Sequence, residues 1–220
     1  KKPDLSKVKS ENDETKNTIF IFMSDNGGLA SEPAWRDGPL HTQNSPLNSG
    51  KGSAYEGGIR EPMIVSWPGV VEKNSKCNKY VCIEDFFPSI LEMAQVKNYK
   101  TVQPIDGVSF VPLLKHTGDP SKGRKLFWNC PNLWGNNGPG IGTTCSERNG
   151  DWKLVYYYNN GKKELFNITN DIGEKNDMAS QYPEIVKRMS KELGSYLRKV
   201  GAQRPSFKKT SKPCPWPDEI

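Results

Sequence analysis

Two short stretches of this sequence carry side chains suited to polar chemistry. Asp25 and Asn26 stand side by side one residue, Ser24, after an unbroken apolar run, Ile19 to Met23, and Gly27 and Gly28 follow them. A carboxylate and an amide are hard oxygen donors, and such a pair suits Ca2+ or Mg2+ better than a soft metal. A bare Asp-Asn-Gly-Gly also reads as a turn in which both side chains bond their own backbone. Lys51 lies between Gly50 and Gly52. A lysine flanked by glycines reaches an anion without crowding, and a cation plus a lysine forms a clamp for a tetrahedral oxyanion. The intervening polar stretch, residues 29–50, contains His41, either a proton donor to a leaving group or a plain surface histidine. Trp134 begins a glycine-rich segment and reads as a platform for a sugar ring or as a packing residue.

These residues need elements to hold them. The run ending at Met23 is continuous and rich in β-formers, which predicts a strand buried on both faces, as in a parallel sheet. Asp25 and Asn26 then fall at its C-terminal end, where open α/β sheets place ligands. A second such run spans residues 62–68. Residues 81–94 read as a helix whose stripe of Phe86, Phe87, Ile90, Leu91 and Met93 faces a core. Strands are predicted over 125–130, 152–158 and 163–166, the last two joined by a hairpin with Asn160-Gly161 at its centre. Pro183 opens a helix with apolar residues at 185, 186, 189, 193, 196, 197 and 200. The expected organisation is a polar end (1–17), part of an α/β domain (18–103), an α+β subdomain with an antiparallel sheet and one amphipathic helix (104–202), and an extended tail (203–220).

The spaced motifs SDNGG, PLNSGKGSAYEGGIREPMIVSWPG, DFFPSIL, DGVSF, GDWKL and ELFN…DIGEKND occur in order over most of the chain. Together they resemble the type I, formylglycine-dependent sulfatases (arylsulfatases and carbohydrate sulfatases) of the alkaline-phosphatase-like superfamily. The resemblance implies the C-terminal part of a sulfatase fold and the hydrolysis of aryl or carbohydrate sulfate esters. It implies that Asp25 and Asn26 are the second pair of Ca2+ ligands and that Lys51 contacts the substrate sulfate. The family's nucleophile lies in a Cys/Ser-x-Pro-x-Arg motif whose first residue becomes formylglycine, and none of the five cysteines here fits it. The nucleophile and the other acidic ligands are therefore expected from an N-terminal portion or chain of the same protein. Two departures stand out. Asn48 replaces an arginine common in the family, and Asn129-Cys130-Pro131-Asn132 replaces an aromatic, histidine-containing run on the substrate side. The alternative is a sulfatase-like protein without activity that binds or supports structure. A phosphoesterase site rich in histidine is disfavoured by a count of two, His41 and His116.

The formal charge of +6 is concentrated in lysines near the two ends. It reads as a solvated surface or an attraction to sulfated polysaccharide, and no motif for nucleic acid accompanies it. No apolar run is long enough to span a membrane. Asn167-Ile168-Thr169 is an N-glycosylation sequon, and the resemblance implies a secreted, lysosomal or other extracytoplasmic setting. Cys130 and Cys145 flank one loop and form the candidate disulfide.

Overall fold

The computed structural model describes residues 14–30, 42–133 and 138–220. Contacts divide the chain into two compact units, one of Lys1–Met23 and Met63–Arg124, the other of Ser24–Pro62 and Lys125–Ile220. Residues 24–62 thus go with the second unit, whose other segment begins at Lys125.

In the first unit, β1 (Phe20–Met23) pairs antiparallel with β2 (Met63–Ser66), with Phe22 opposite Ile64. One face carries Ile21 and Met63 into a cluster with Phe110, Val111 and Met93. The other face, with Phe20, Phe22 and Ile64, is exposed. The continuous apolar run does not make a strand covered on both sides here, because a two-stranded ribbon has one covered face and strand side chains alternate. The helix α2 (Phe86–Met93) follows a short 3-10 turn. Met93 is buried and Phe86 packs edge-on to Phe110, whereas Phe87 and Ile90 are exposed, so only part of the expected stripe faces the core. Asp85 explains two of the motifs at once. Its buried carboxylate accepts hydrogen bonds from the Cys82 and Val108 backbones at 2.8 and 2.9 Å and from Arg124 at 2.7 Å. Ser89 receives the Phe110 N–H at 2.9 Å, so the segment 107–111, which includes the start of α3 (Val111–Leu114), is tied to α2.

The second unit is built on an antiparallel meander, β3 (Lys125–Cys130), β4 (Thr144–Asn149), β5 (Trp152–Tyr157) and β6 (Lys163–Asn167). The helix α4 (Pro183–Lys199) covers one face, where Leu154, Tyr156 and Leu165 meet Met189, Leu193 and Leu197. Val155 and Phe166 turn to the other face and pack on Ala54 and Tyr55. The tail does not run free. Cys214 and Trp216 are buried in the α4-side core, and the Tyr156 hydroxyl donates to the Pro215 carbonyl at 2.9 Å. Its prolines keep the chain extended while one tryptophan anchors it.

All five cysteines are free thiols. The expected Cys130–Cys145 bridge is absent for a geometric reason. Cys145 lies opposite Asn129, one position off Cys130, so the two side chains leave opposite faces of the sheet. Cys145 is buried and Cys130 exposed.

Glu147 on β4 is 0 % exposed and points to the α4 side, across from Phe127 and Leu154. Burial, and then the neighbouring Glu192 carboxylate of α4, push its carboxyl up to about 8, against the opposing pull of Lys125 and Arg188. Partial burial raises the Glu192 carboxyl, but Lys125, at 3.0 Å, together with Glu147 and Arg188 holds it below its ordinary value. A carboxyl raised on folding takes up a proton, so its stabilising contribution is complete below about pH 4.5 and is lost as pH rises through about 8. We expect the melting temperature to fall between about pH 6 and about pH 9 and the Glu147→Gln variant to flatten that descent. An unchanged descent in the variant would assign it to another group.

Candidate functional site

Residues 24–28 and 44–58 of the second unit form a single backbone knot. The Lys51 N–H donates to the Gly28 carbonyl at 3.1 Å, and the Gly27 N–H to the Gly58 carbonyl at 3.2 Å. The Asn44 side chain accepts from the Gly28 N–H at 3.2 Å and donates to the carbonyls of Gly28 and Ser49, both at 3.0 Å. The Gly57 N–H closes the knot on the Asn48 carbonyl at 2.9 Å. Such an approach requires glycine. A Cβ on Gly27 would stand 1.8 Å from the Gly57 oxygen, and one on Gly57 would stand 2.1 Å from the Asn48 oxygen. The two stretches singled out in the sequence, the Asp25-Asn26 turn and the Lys51 loop, are therefore brought together in space.

Within the knot Asp25 is exposed, while Asn26 and Lys51 are half-buried. Ser24 donates to the Asn26 carbonyl at 2.9 Å and shapes the turn. Glu61 joins this group, and the sequence reading missed it. Its Oε1 is buried with no hydrogen-bond partner, and burial followed by the nearby Asp25 charge pushes its carboxyl up. An orphaned carboxylate oxygen within electrostatic reach of Asp25 is the kind of oxygen donor that a hard cation takes. Such a cation takes about 6–8 oxygens. Among the described residues no group of three or more His, Cys, Asp or Glu is placed to hold a metal ion. His41 and Trp134 lie outside the described residues. Asn167, at the end of β6, is half-buried, and its Oδ1 accepts the Asn170 N–H at 3.2 Å.

The knot is bolted to the sheet by the residues that follow Lys51. Ser53 bridges Ile141, and the Ala54 N–H donates to the Gly140 carbonyl at 2.9 Å. The Tyr55 ring meets Phe166 edge-on at 5.2 Å, and its hydroxyl donates to Glu164 at 2.7 Å. Glu56 opens the four-residue helix α1 (Glu56–Ile59). Its carboxylate accepts Lys153 Nζ at 3.0 Å, Arg148 at 3.4 Å and Arg60 at 3.3 Å. Lys153 also pairs with Glu174 at 2.8 Å, and the second Glu174 oxygen accepts the Glu56 backbone N–H at 2.5 Å. Lys153 is 0 % exposed. Burial raises the Glu56 carboxyl, but Lys153 and Arg148 outweigh it and hold it below its ordinary value. For Glu174 burial wins over Lys153 and the carboxyl is pushed up. Glu56, Lys153 and Glu174 lie in three separate sequence motifs. A lysine inside the apolar run Trp-Lys-Leu-Val-Tyr-Tyr was the one signal that a buried counter-charge existed.

The family model described as N-sulphoglucosamine sulphohydrolase, C-terminal, matches residues 50–199. A curated protein named sulfatase, from Formosa agariphila, is 33% identical over 211 residues, covering 91% of this chain and 36% of that protein. Arylsulfatase K of Gallus gallus is 28% identical, covering 85% of this chain and 32% of that protein. The crystal structure of Ps i-CgsB in complex with k-i-k-neocarrahexaose superposes with a TM-score of 0.69 at 27% identity, over 89% of this chain and 39% of that one. The chain thus spans about a third of the length of the curated proteins it matches. No helix among the described residues is long and apolar enough to cross a membrane.

Proposed function

Because this chain belongs to the sulfatase family, as the C-terminal portion of such a protein, we propose that it completes the site at which a larger protein hydrolyses sulfate esters. The observation that carries this reading is the convergence of the Asp25-Asn26 turn and the Lys51 loop in one glycine-dependent knot. In this reading Asp25 and Asn26 offer oxygen ligands to Ca2+, with Glu61 beside them. When bound, Ca2+ supplies positive charge against the sulfuryl oxygens. Lys51 sets its ammonium against the same oxygens and stabilises the charge that builds on them as the ester bond breaks. The formylglycine nucleophile and the remaining acidic ligands come from the N-terminal portion of the same sulfatase. His41 is assigned to the leaving-group side and Trp134 to a sugar ring of the substrate. The substrate class is a sulfated carbohydrate or an aryl sulfate, supported by the names of the similar proteins and by the oligosaccharide bound to Ps i-CgsB. A secreted or lysosomal setting, with a glycan on Asn167, belongs to the same reading.

The experiment is sulfate release from an aryl sulfate and from sulfated saccharides by the complete protein, with Ca2+ titrated. We expect turnover in the wild type. For Asp25→Ala we expect the half-saturating Ca2+ concentration to rise on the order of 10–100-fold or more, the scale of losses at metal sites. No release by a protein whose formylglycine is formed and whose Ca2+ is present would favour a binding role without catalysis.

A further inference from the structure

The ion set beneath the knot does more than neutralise itself. Both arms of the candidate site bond directly to α1. Gly57 of α1 donates to the Asn48 carbonyl, three residues before Lys51, and Gly58 of α1 accepts from Gly27 in the Asp25 turn. The helix α1 has only four residues, too few to hold a shape by its own hydrogen bonds. What holds it is Glu56, gripped at its backbone N–H by Glu174 and at its carboxylate by Lys153. Lys153 stands on β5, an interior strand of the meander paired on both sides, so the grip is referenced to the sheet itself.

We infer that Lys153 and Glu174 are positioning residues, which act through Glu56 and α1 to set where Lys51 and the Asp25-Asn26 turn stand relative to one another. The inference rests on the proposed sulfate contact of Lys51. A small displacement of a charge aimed at the sulfuryl oxygens lowers turnover steeply, since misplacement of about 1 Å can cost about a hundredfold. Neither residue would touch substrate.

The test is a double-mutant cycle in the complete protein, with turnover of an aryl sulfate and the Kd of inorganic sulfate by calorimetry as separate readouts. Glu174→Gln retains an oxygen for the Glu56 N–H and removes the charge that pairs with Lys153. It should reduce kcat about 10- to 100-fold and weaken sulfate binding while leaving a cooperative melting transition. If it acts through Lys51, then adding it to Lys51→Ala should cost little more, because residues serving one contact do not add. Lys153→Arg keeps the charge with a different shape and enters the same cycle if Glu174→Gln fails to fold. Losses that multiply in full, or a Glu174→Gln protein with wild-type kcat and sulfate affinity, would overturn the inference while leaving the sulfate clamp intact. Wild-type turnover and sulfate binding in Lys51→Ala alone would instead remove the clamp itself, and the inference with it.

Discussion

Lys153→Met should destabilise the protein by about 3–5 kcal/mol, the range for removing one partner of a buried ion pair. The side chain is fully enclosed and bridges Glu56 at 3.0 Å and Glu174 at 2.8 Å. Methionine keeps most of the volume, so the cavity contribution is small and the loss is electrostatic. Arg148 and Arg60 still reach Glu56, but Glu174 pairs only with Lys153 among the described ion pairs. Its carboxyl, already pushed up by burial, would take a proton in the variant. The variant should therefore recover stability as pH falls and lose it as pH rises, since a carboxyl raised on folding stabilises in its protonated form. Denaturant unfolding of the complete protein at two pH values measures both effects. A cost under about 1 kcal/mol, the value of an exposed pair, would mean that water reaches the network.

What the sequence disclosed follows a physical line. The strands β3, β5 and β6 are written as short apolar runs and the helix α4 in a period-3.6 apolar pattern, because their burial comes from their own side chains. The strand β4 is not. Thr-Cys-Ser-Glu-Arg-Asn carries no apolar pattern that would predict an element, yet it is buried between β3 and β5. Arg148, for example, meets its counter-charge on Glu56, 92 residues earlier in the chain, and no local pattern encodes such a partner. For the same reason Glu56, Lys153 and Glu174 were visible only as members of motifs, without a role. The tail shows the reverse failure. Its prolines and lysines suggested an extended segment, and nothing local in them told that Cys214 and Trp216 enter the core. At the candidate site, residue types pointed to a hard cation and an anion, and the glycines pointed to close approach. That Gly27 must meet Gly57, and Lys51 must meet Gly28, needed the fold.

Lys51→Ala is the variant on which the functional account turns. The lysine is half-buried in a knot fixed by its own backbone N–H, so its ammonium starts from an anchored stem. The backbone bonds of the knot and the contacts of Asn44 do not use the lysine side chain, so truncation should leave them in place. Its cost should appear in turnover instead, on the order of 10²–10³, as for the loss of one preorganised contact to a developing oxyanion. Lys51→Arg should not restore the rate fully, because a planar fork does not take the place of a compact ammonium. The decisive measurement is kcat for sulfate release from an aryl sulfate by the complete protein, wild type against Lys51→Ala, with formylglycine formed and Ca2+ saturating. The account predicts a fall on the order of 10²–10³ in a protein that keeps a cooperative melting transition. Equal rates in the two proteins would contradict it.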